Sequence, residues 1–325
     1  FRQVFNMRKN ALIMCCFVCA LGAFGAFFRW LQNQITYDPV TGMTEPGLLN
    51  VMVPLVIVAA AVVFYLLPGR LLSGLSYPES MRETFRGTTV LHSAAAWIIG
   101  GVVAAGGIVT FFGTATDAQA GLFRFIAVLS VLCGISFPAI CNSAKRNFAP
   151  GLVSVFCTLP VVIFVVWLVG CYMRNSSVPN LWSYGVEIIT ISCVIYAFYC
   201  DAGFAFGKPA PKSALFISML AAFMCLTSLA DSRFIGLQMI LFGTGAMLLM
   251  YCWMIVSNMR TAQERAAEKE TPKPGSKPAE KPAEAPAEEP VIPAGKPLVT
   301  DEPTLQAPSR SDSEVDRIIN ELKNE

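Results

Sequence analysis

Ser93-Ala94-Ala95-Ala96-Trp97-Ile98-Ile99-Gly100-Gly101-Val102-Val103-Ala104-Ala105-Gly106-Gly107-Ile108-Val109-Thr110-Phe111-Phe112 holds no Asp, Glu, Lys or Arg in 20 consecutive residues. About 20 mostly apolar residues in a helix cross the roughly 30 Å hydrocarbon core of a bilayer. Reading outward, seven more stretches have the same character: 11–28, 48–67, 122–141, 150–172, 183–200, 213–230 and 234–257. In hydrocarbon every backbone N–H and C=O must be satisfied within the protein, so such runs become helices. The pattern predicts an all-α fold, a polytopic membrane helix bundle with about eight transmembrane helices over residues 1–258.

Composition agrees. Mean hydropathy is +0.56, and 14% of residues are charged, against about 25% in soluble domains. Up to Ser257 the chain holds 14 Lys/Arg and 8 Asp/Glu, and beyond it 10 and 14. A basic surplus beside spans follows from orientation and is no sign of nucleic acid. The eleven Cys lie in or beside the spans, where they read as small apolar packing residues. Cys16 and Cys19 match a CxxC spacing, but in an apolar helix without a nearby His, so no metal or redox role follows. At the start, Met7-Arg8-Lys9-Asn10 reads as an initiation site with 1–6 upstream of it. The run 11–28 reads as a retained anchor, with Arg29 and Trp30 at the interface.

Loop charge sets the expected orientation. Arg2, Arg8, Lys9, Arg70, Arg82, Arg86, Lys145, Arg146, Lys208, Lys212, Arg260 and Arg265 fall on one side, and Arg29, Arg124, Arg174 and Arg233 on the other, 12 against 4. The positive-inside rule then makes both termini cytoplasmic, in a bacterial plasma membrane. Trp30, Trp182 and Tyr184 form the outer aromatic belt. In the loop 68–91, Pro78 suits the first turn of a short helix after Ser76 or Tyr77. Met81 and Phe85 share one face of that helix, which would lie at the interface.

No stretch carries a catalytic set, a nucleotide loop or metal-ligand spacing, so neither an enzyme nor a cofactor is expected. Glu187 lies one turn into its span and reaches the outer interface. Asp201 lies at the other end of that span, beside the cytoplasm. His92, the single His, reads as a helix-end residue rather than a ligand. Gly100 with Ala104, and Gly101 with Ala105, are small-xxx-small pairs that let helix backbones approach closely. They make 93–112 the expected centre of the bundle. Gly22 with Ala26 repeats the theme. Pro54, Pro138 and Pro160 fall inside spans and should kink them.

Past residue 258 the composition changes. Residues 259–310 form a linker rich in Pro, Ala, Glu and Lys, which lacks the apolar surface to fold. Residues 311–325 read as a short amphipathic helix. Val315, Ile318, Ile319 and Leu322 fall at i, i+3, i+4 and i+7 on one stripe, a helix-in-groove ligand for a cytosolic protein.

The stretches Met7-Arg8-Lys9-Asn10-Ala11-Leu12, Arg29-Trp30-Leu31-Gln32 and Tyr37-Asp38-Pro39-Val40-Thr41-Gly42 resemble uncharacterised polytopic membrane proteins of anaerobic bacteria. The resemblance covers the first two spans and implies no activity. The sequence points first to an integral plasma-membrane scaffold or sensor that recruits a cytosolic partner through its C-terminal helix. The alternative is a permease or export component for a weakly charged or lipid-like substrate.

Overall fold

The computed structural model describes residues 2–36, 45, 47–85, 89–113, 120–143, 150–175 and 181–261. They form α1 (Arg2–Ile35), α2 (Leu48–Leu71), β1 (Leu75–Ser76), α3 (Met81–Thr84), α4 (Val90–Gly113), α5 (Ala120–Cys141), α6 (Pro150–Asn175), α7 (Leu181–Ala205), α8 (Pro211–Ser228), α9 (Ile235–Ser257) and β2 (Arg260–Thr261). All but α3 among the helices are long and apolar enough to cross a membrane, 8 in number. The chain is a multi-pass membrane protein with an all-α bundle. An even number of crossings returns the chain to the face it started from. That face, with the start of α1 and the end of α9, is here called proximal, and the opposite one distal.

Helix contacts close a circle. α4 packs on α5, α5 on α6, α6 on α7, α7 on α8, α8 on α9, and α9 back on α4. α1 lies against α8 and α9, and α2 against α1 and α8. Buried hydroxyls along these helices donate to carbonyls one turn back, as at Thr110 to Gly106 O (2.8 Å), Ser130 to Ile126 O (2.8 Å) and Thr244 to Ile240 O (2.7 Å). At these positions the hydroxyl enters the bundle with its donor met by the helix itself.

Small residues set the closest approaches. A Cβ at Gly100 would strike the carbonyl oxygen of Gly134 and lie 3.1 Å from the Pro138 ring, so α4 meets α5 backbone to backbone. On a second face of α4, a Cβ at Gly106 would lie 2.8 Å from Gly236 O and 2.9 Å from Ile240 N of α9. Gly101 looks away from both seams, with no atom within 4 Å of its Cβ position. On α1, Gly22 and Gly25 are the pair that touches α8, at Leu226 and Thr227; Ala26 is only half-buried. The bundle centre also differs from the expectation. The most apolar windows of α9 and α8 are 72% and 67% buried, that of α4 only 33%. Its glycines serve two neighbours, which leaves the third face of α4 to lipid.

The proximal loop folds back under the ring. β1 pairs antiparallel with β2, Leu75 opposite Thr261 and Ser76 opposite Arg260. The Ser76 hydroxyl donates to Arg260 O at 2.9 Å. Gly74, at φ +80°, makes the turn into β1 in a region that glycine enters freely. α3 starts at Met81, later than Pro78 suggested. The reason is local: Ser80 Oγ accepts the Glu83 N–H at 3.3 Å, while the Glu83 carboxylate accepts the Glu79 N–H at 2.9 Å. This reciprocal cap fixes the helix start at Ser80. Phe85 is 2% exposed and packs edge-on to Tyr251 at 5.7 Å, so it points into the bundle. Asn258 Nδ2 donates to Thr84 O at 2.6 Å, tying the end of α9 to the same loop.

Candidate functional site

Two buried polar sites lie at opposite ends of the bundle, and an aromatic column joins them. At the distal end, α1 brings Arg29, Gln32 and Asn33; the α8–α9 turn brings Asp231 and Arg233; α7 brings Glu187. Arg29 Nε donates to Asp231 Oδ1 at 2.6 Å, and the two side chains are 2% and 9% exposed. Arg233 Nη2 donates to Asp231 Oδ2 at 2.8 Å. Arg233 Nε faces Glu187 Oε2 at 3.2 Å, an ion pair without hydrogen-bond alignment. Among the described residues the charges alternate: Arg29, Asp231, Arg233, Glu187.

Neutral groups complete the network. Arg29 Nη1 donates to Gln32 Oε1 (2.8 Å), and Gln32 Nε2 to Asn50 Oδ1 of α2 (2.8 Å). Asn33 Nδ2 donates to Asp231 Oδ1 (3.1 Å) and Gln238 Nε2 to Asp231 O (3.0 Å). Arg233 also donates to Ser228 O and Ser228 Oγ, both at 2.7 Å. Trp167 Nε1 of α6 donates to Glu187 Oε1 at 3.0 Å. One network of hydrogen bonds and ion pairs thus fastens α1, α2, α6, α7 and the α8–α9 turn. A buried ion pair is weak evidence of net stability, but breaking one side of it is expensive. The geometry is that of a lock.

From Trp167 the column runs toward the proximal face. Phe164 stacks on Trp167 (5.6 Å) and lies 6.3 Å from Phe198; Phe198 meets Tyr251 edge-on at 6.3 Å. Tyr251 also meets Phe137 at 5.6 Å. Phe137 and Tyr251 belong to α5 and α9, which are not neighbours in the ring, so these rings fill its middle. The column ends at Phe85. There a small cavity of about 10 Å³, the room one water needs, is lined by residues that include Thr84, Phe85, Cys157, Phe198, Asp201, Phe204 and Tyr251. Asp201 is 8% exposed, and Ser218 Oγ of α8 donates to its Oδ2 at 3.5 Å.

Several sequence expectations change here. Arg29 is not an interfacial anchor beside Trp30. It turns inward, and Trp30, 49% exposed, faces out alone. Glu187 is engaged by Arg233 and Trp167 rather than facing the interface. Asp201 is inside the bundle rather than at its edge. His92 Nδ1 lies 2.7 Å from Thr89 Oγ1 at the start of α4. Cys16 and Cys19 are exposed on the outer side of α1. Among the pairs named for packing, Gly100 lies in the α4–α5 seam, with Ala104 Cβ 2.8 Å from a Cβ at Gly134; Gly101 is exposed and Ala105 half-buried. The stripe Val315, Ile318, Ile319 and Leu322 and the loop 37–43 lie outside the described residues.

Asp231 and Arg233 escaped notice as a site, although a signal existed. Among the described residues of α1 the buried positions are Met7, Ala11, Met14, Val18, Gly22, Gly25, Arg29 and Gln32, with Thr36 just beyond its end. Their steps of three and four define one face. Arg29 and Gln32 continue the stripe that Gly22 and Gly25 begin, so Arg29 had to face protein and required an anion there. No protein-family model, curated protein or solved structure matches the chain.

Proposed function

We propose that this membrane protein is a permease for small organic cations, with Asp201 as the anionic anchor of its substrate site. One observation carries the reading: a buried carboxylate faces a cavity walled by Phe85, Phe198, Phe204 and Tyr251, with no Lys or Arg among the described lining residues. Ionisable groups inside a membrane bundle mark substrate paths. A carboxylate among aromatic faces favours an ammonium group, which draws on both ionic and cation–π attraction. The cavity as it stands is too small for an amine, so loading requires the loop bearing α3 and Phe85 to withdraw from the proximal mouth. The distal lock stays closed in that step. The reading places the proximal face in the cytoplasm of a bacterial plasma membrane, as the loop charges suggest, and assigns no catalytic role to any residue.

The test is ligand-dependent unfolding of purified protein with alkylammonium ions of increasing size, beside neutral alcohols of the same shape. A ligand that binds only the native state raises its stability in proportion to RT ln(1 + [L]/Kd). The expected result is stabilisation by ammonium compounds alone, lost in Asp201→Asn. Stabilisation of equal size in that variant removes Asp201 from the site.

The tail-recruiting scaffold keeps one specific support. β2, at the root of the tail, is paired to β1 of the proximal loop, so a pull on the tail acts on that loop. Its test is a pull-down with the full chain beside a chain ending at Arg310. A cytosolic protein lost with the stripe of Val315, Ile318, Ile319 and Leu322 supports it, and identical partner sets overturn it.

A further inference from the structure

A second concave feature lies outside the ring, where the proximal end of α2 passes the start of α8. It is a groove of about 640 Å³, lined by residues that include Tyr65, Leu66, Ser73, Tyr77, Lys212 and Phe216. That size is within the about 300–1,000 Å³ range of small-molecule sites. Its two ends differ chemically. Tyr65 and Leu66 belong to the apolar part of α2, and Tyr65 meets Phe216 edge-on at 5.9 Å. Ser73, Gly74, Lys212 and Ser213 form the other end, beyond the last residue of α2 and at the first turn of α8. Lys212 and Ser213 are exposed, as are the neighbouring Lys208 and Arg70. Among the described residues no Asp or Glu lines the groove. Its apolar wall on α2 belongs to the least buried of the spans, with 22% of its most apolar window inside the protein.

We propose that this groove is a binding site for one anionic phospholipid, independent of the Asp201 cavity. The occupant must be an amphiphile, because the groove runs from aromatic and aliphatic walls to a polar, basic end. It must be anionic at that end, because Lys212 stands there with the basic Lys208 and Arg70 nearby in the chain, and the described lining holds no carboxylate. Two further features fit a phosphate: Ser73 and Ser213 offer hydroxyl donors, and the groove meets the first turn of α8 at Lys212 and Ser213, the positive end of the helix dipole. An acyl chain then lies along Tyr65, Leu66 and Phe216. A zwitterionic lipid gains the apolar contacts but not the net charge attraction.

The test is native mass spectrometry of the full chain in detergent, titrated with phosphatidylglycerol or with phosphatidylcholine of the same chains. The expected result is one retained phosphatidylglycerol per chain, bound more tightly than phosphatidylcholine. Lys212→Glu should weaken it about tenfold, since reversal removes an attraction and adds a repulsion near the phosphate. Arg82→Glu removes the same charge from an exposed position of α3 outside the groove and should leave retention unchanged. Tyr65→Ala, at an exposed position, should weaken both lipids alike. Equal losses in Lys212→Glu and Arg82→Glu mean diffuse charge attraction and overturn the site. Equal retention of the two lipids overturns its anionic selectivity. Competition by inorganic phosphate alone marks a free-anion site and overturns the lipid assignment.

Discussion

Asp231 is the hinge of the distal lock, and removing it is the sharpest test of how the bundle is held. Its carboxylate accepts from Arg29 at 2.6 Å, Asn33 at 3.1 Å and Arg233 at 2.8 Å. Asp231→Asn keeps the shape and deletes the charge that Arg29, 2% exposed, pairs with at 2.6 Å. Losing one partner of a buried pair costs about 3–5 kcal/mol, a large share of the about 5–15 kcal/mol that holds a folded protein. Uncharged hydrogen bonds between membrane helices average only about 0.6 kcal/mol, so the two cases are separable by size. The assay is reversible unfolding in mixed micelles, read by helical circular dichroism, on Arg29→Met, Asp231→Asn and the double variant. Each single change should cost about 3 kcal/mol or more. The double variant should recover about 2 kcal/mol of the sum, because the Arg29–Asp231 pair is then removed from both sides and neither member is left facing a neutral mate. Single costs below about 1 kcal/mol, with no coupling, are the behaviour of exposed pairs and would refute the lock.

Three more outcomes follow from the same geometry. Gly100→Ala drives a methyl into the Gly134 carbonyl and should cost about 1–3 kcal/mol, whereas Gly101→Ala, in open space, should be neutral or stabilise by up to about 1 kcal/mol; thermal unfolding of the two separates the seam from the lipid face. Phe85→Ala removes a buried ring from Tyr251 and should cost about 3–5 kcal/mol, exposing the loop around α3 to limited proteolysis, with Asn258→Ala giving a smaller increase. Burial holds the Tyr77 phenol above its ordinary range. The neutral form is therefore the one the fold retains, and stability should decline as pH rises past about 10; a decline that is unchanged in Tyr77→Phe counts against this.

Every span was legible in the sequence, because apolar runs of about 20 residues leave few alternatives. The ends were less so: α2 continues through Pro68 to Leu71, and α1 runs from Arg2 to Ile35, since helices extend past the hydrocarbon core into the interface. The direction of Gly100 followed from spacing, but not which neighbour it met. The distal lock was half legible. Arg29 shares the Gly22 and Gly25 stripe, yet its partner Asp231 is 202 positions away, and nothing local announces such a pairing. Phe85 was assigned to a surface helix for the same reason. Its spacing from Met81 marks an apolar face, and only the β1–β2 pairing turns that face into the ring. Asp201 lies in the last turns of its helix, four residues before Ala205, yet it is buried. Its enclosure depends on Phe85 and Ser218, which come from two other elements.

The most direct test of the permease reading is uptake of radiolabelled methylammonium by liposomes holding the purified chain without residues 271–325, compared with the same chain carrying Asp201→Asn. Saturable uptake that survives the deletion and disappears with the carboxylate is the predicted result. Uptake equal to that of empty liposomes, or unchanged in Asp201→Asn, contradicts it.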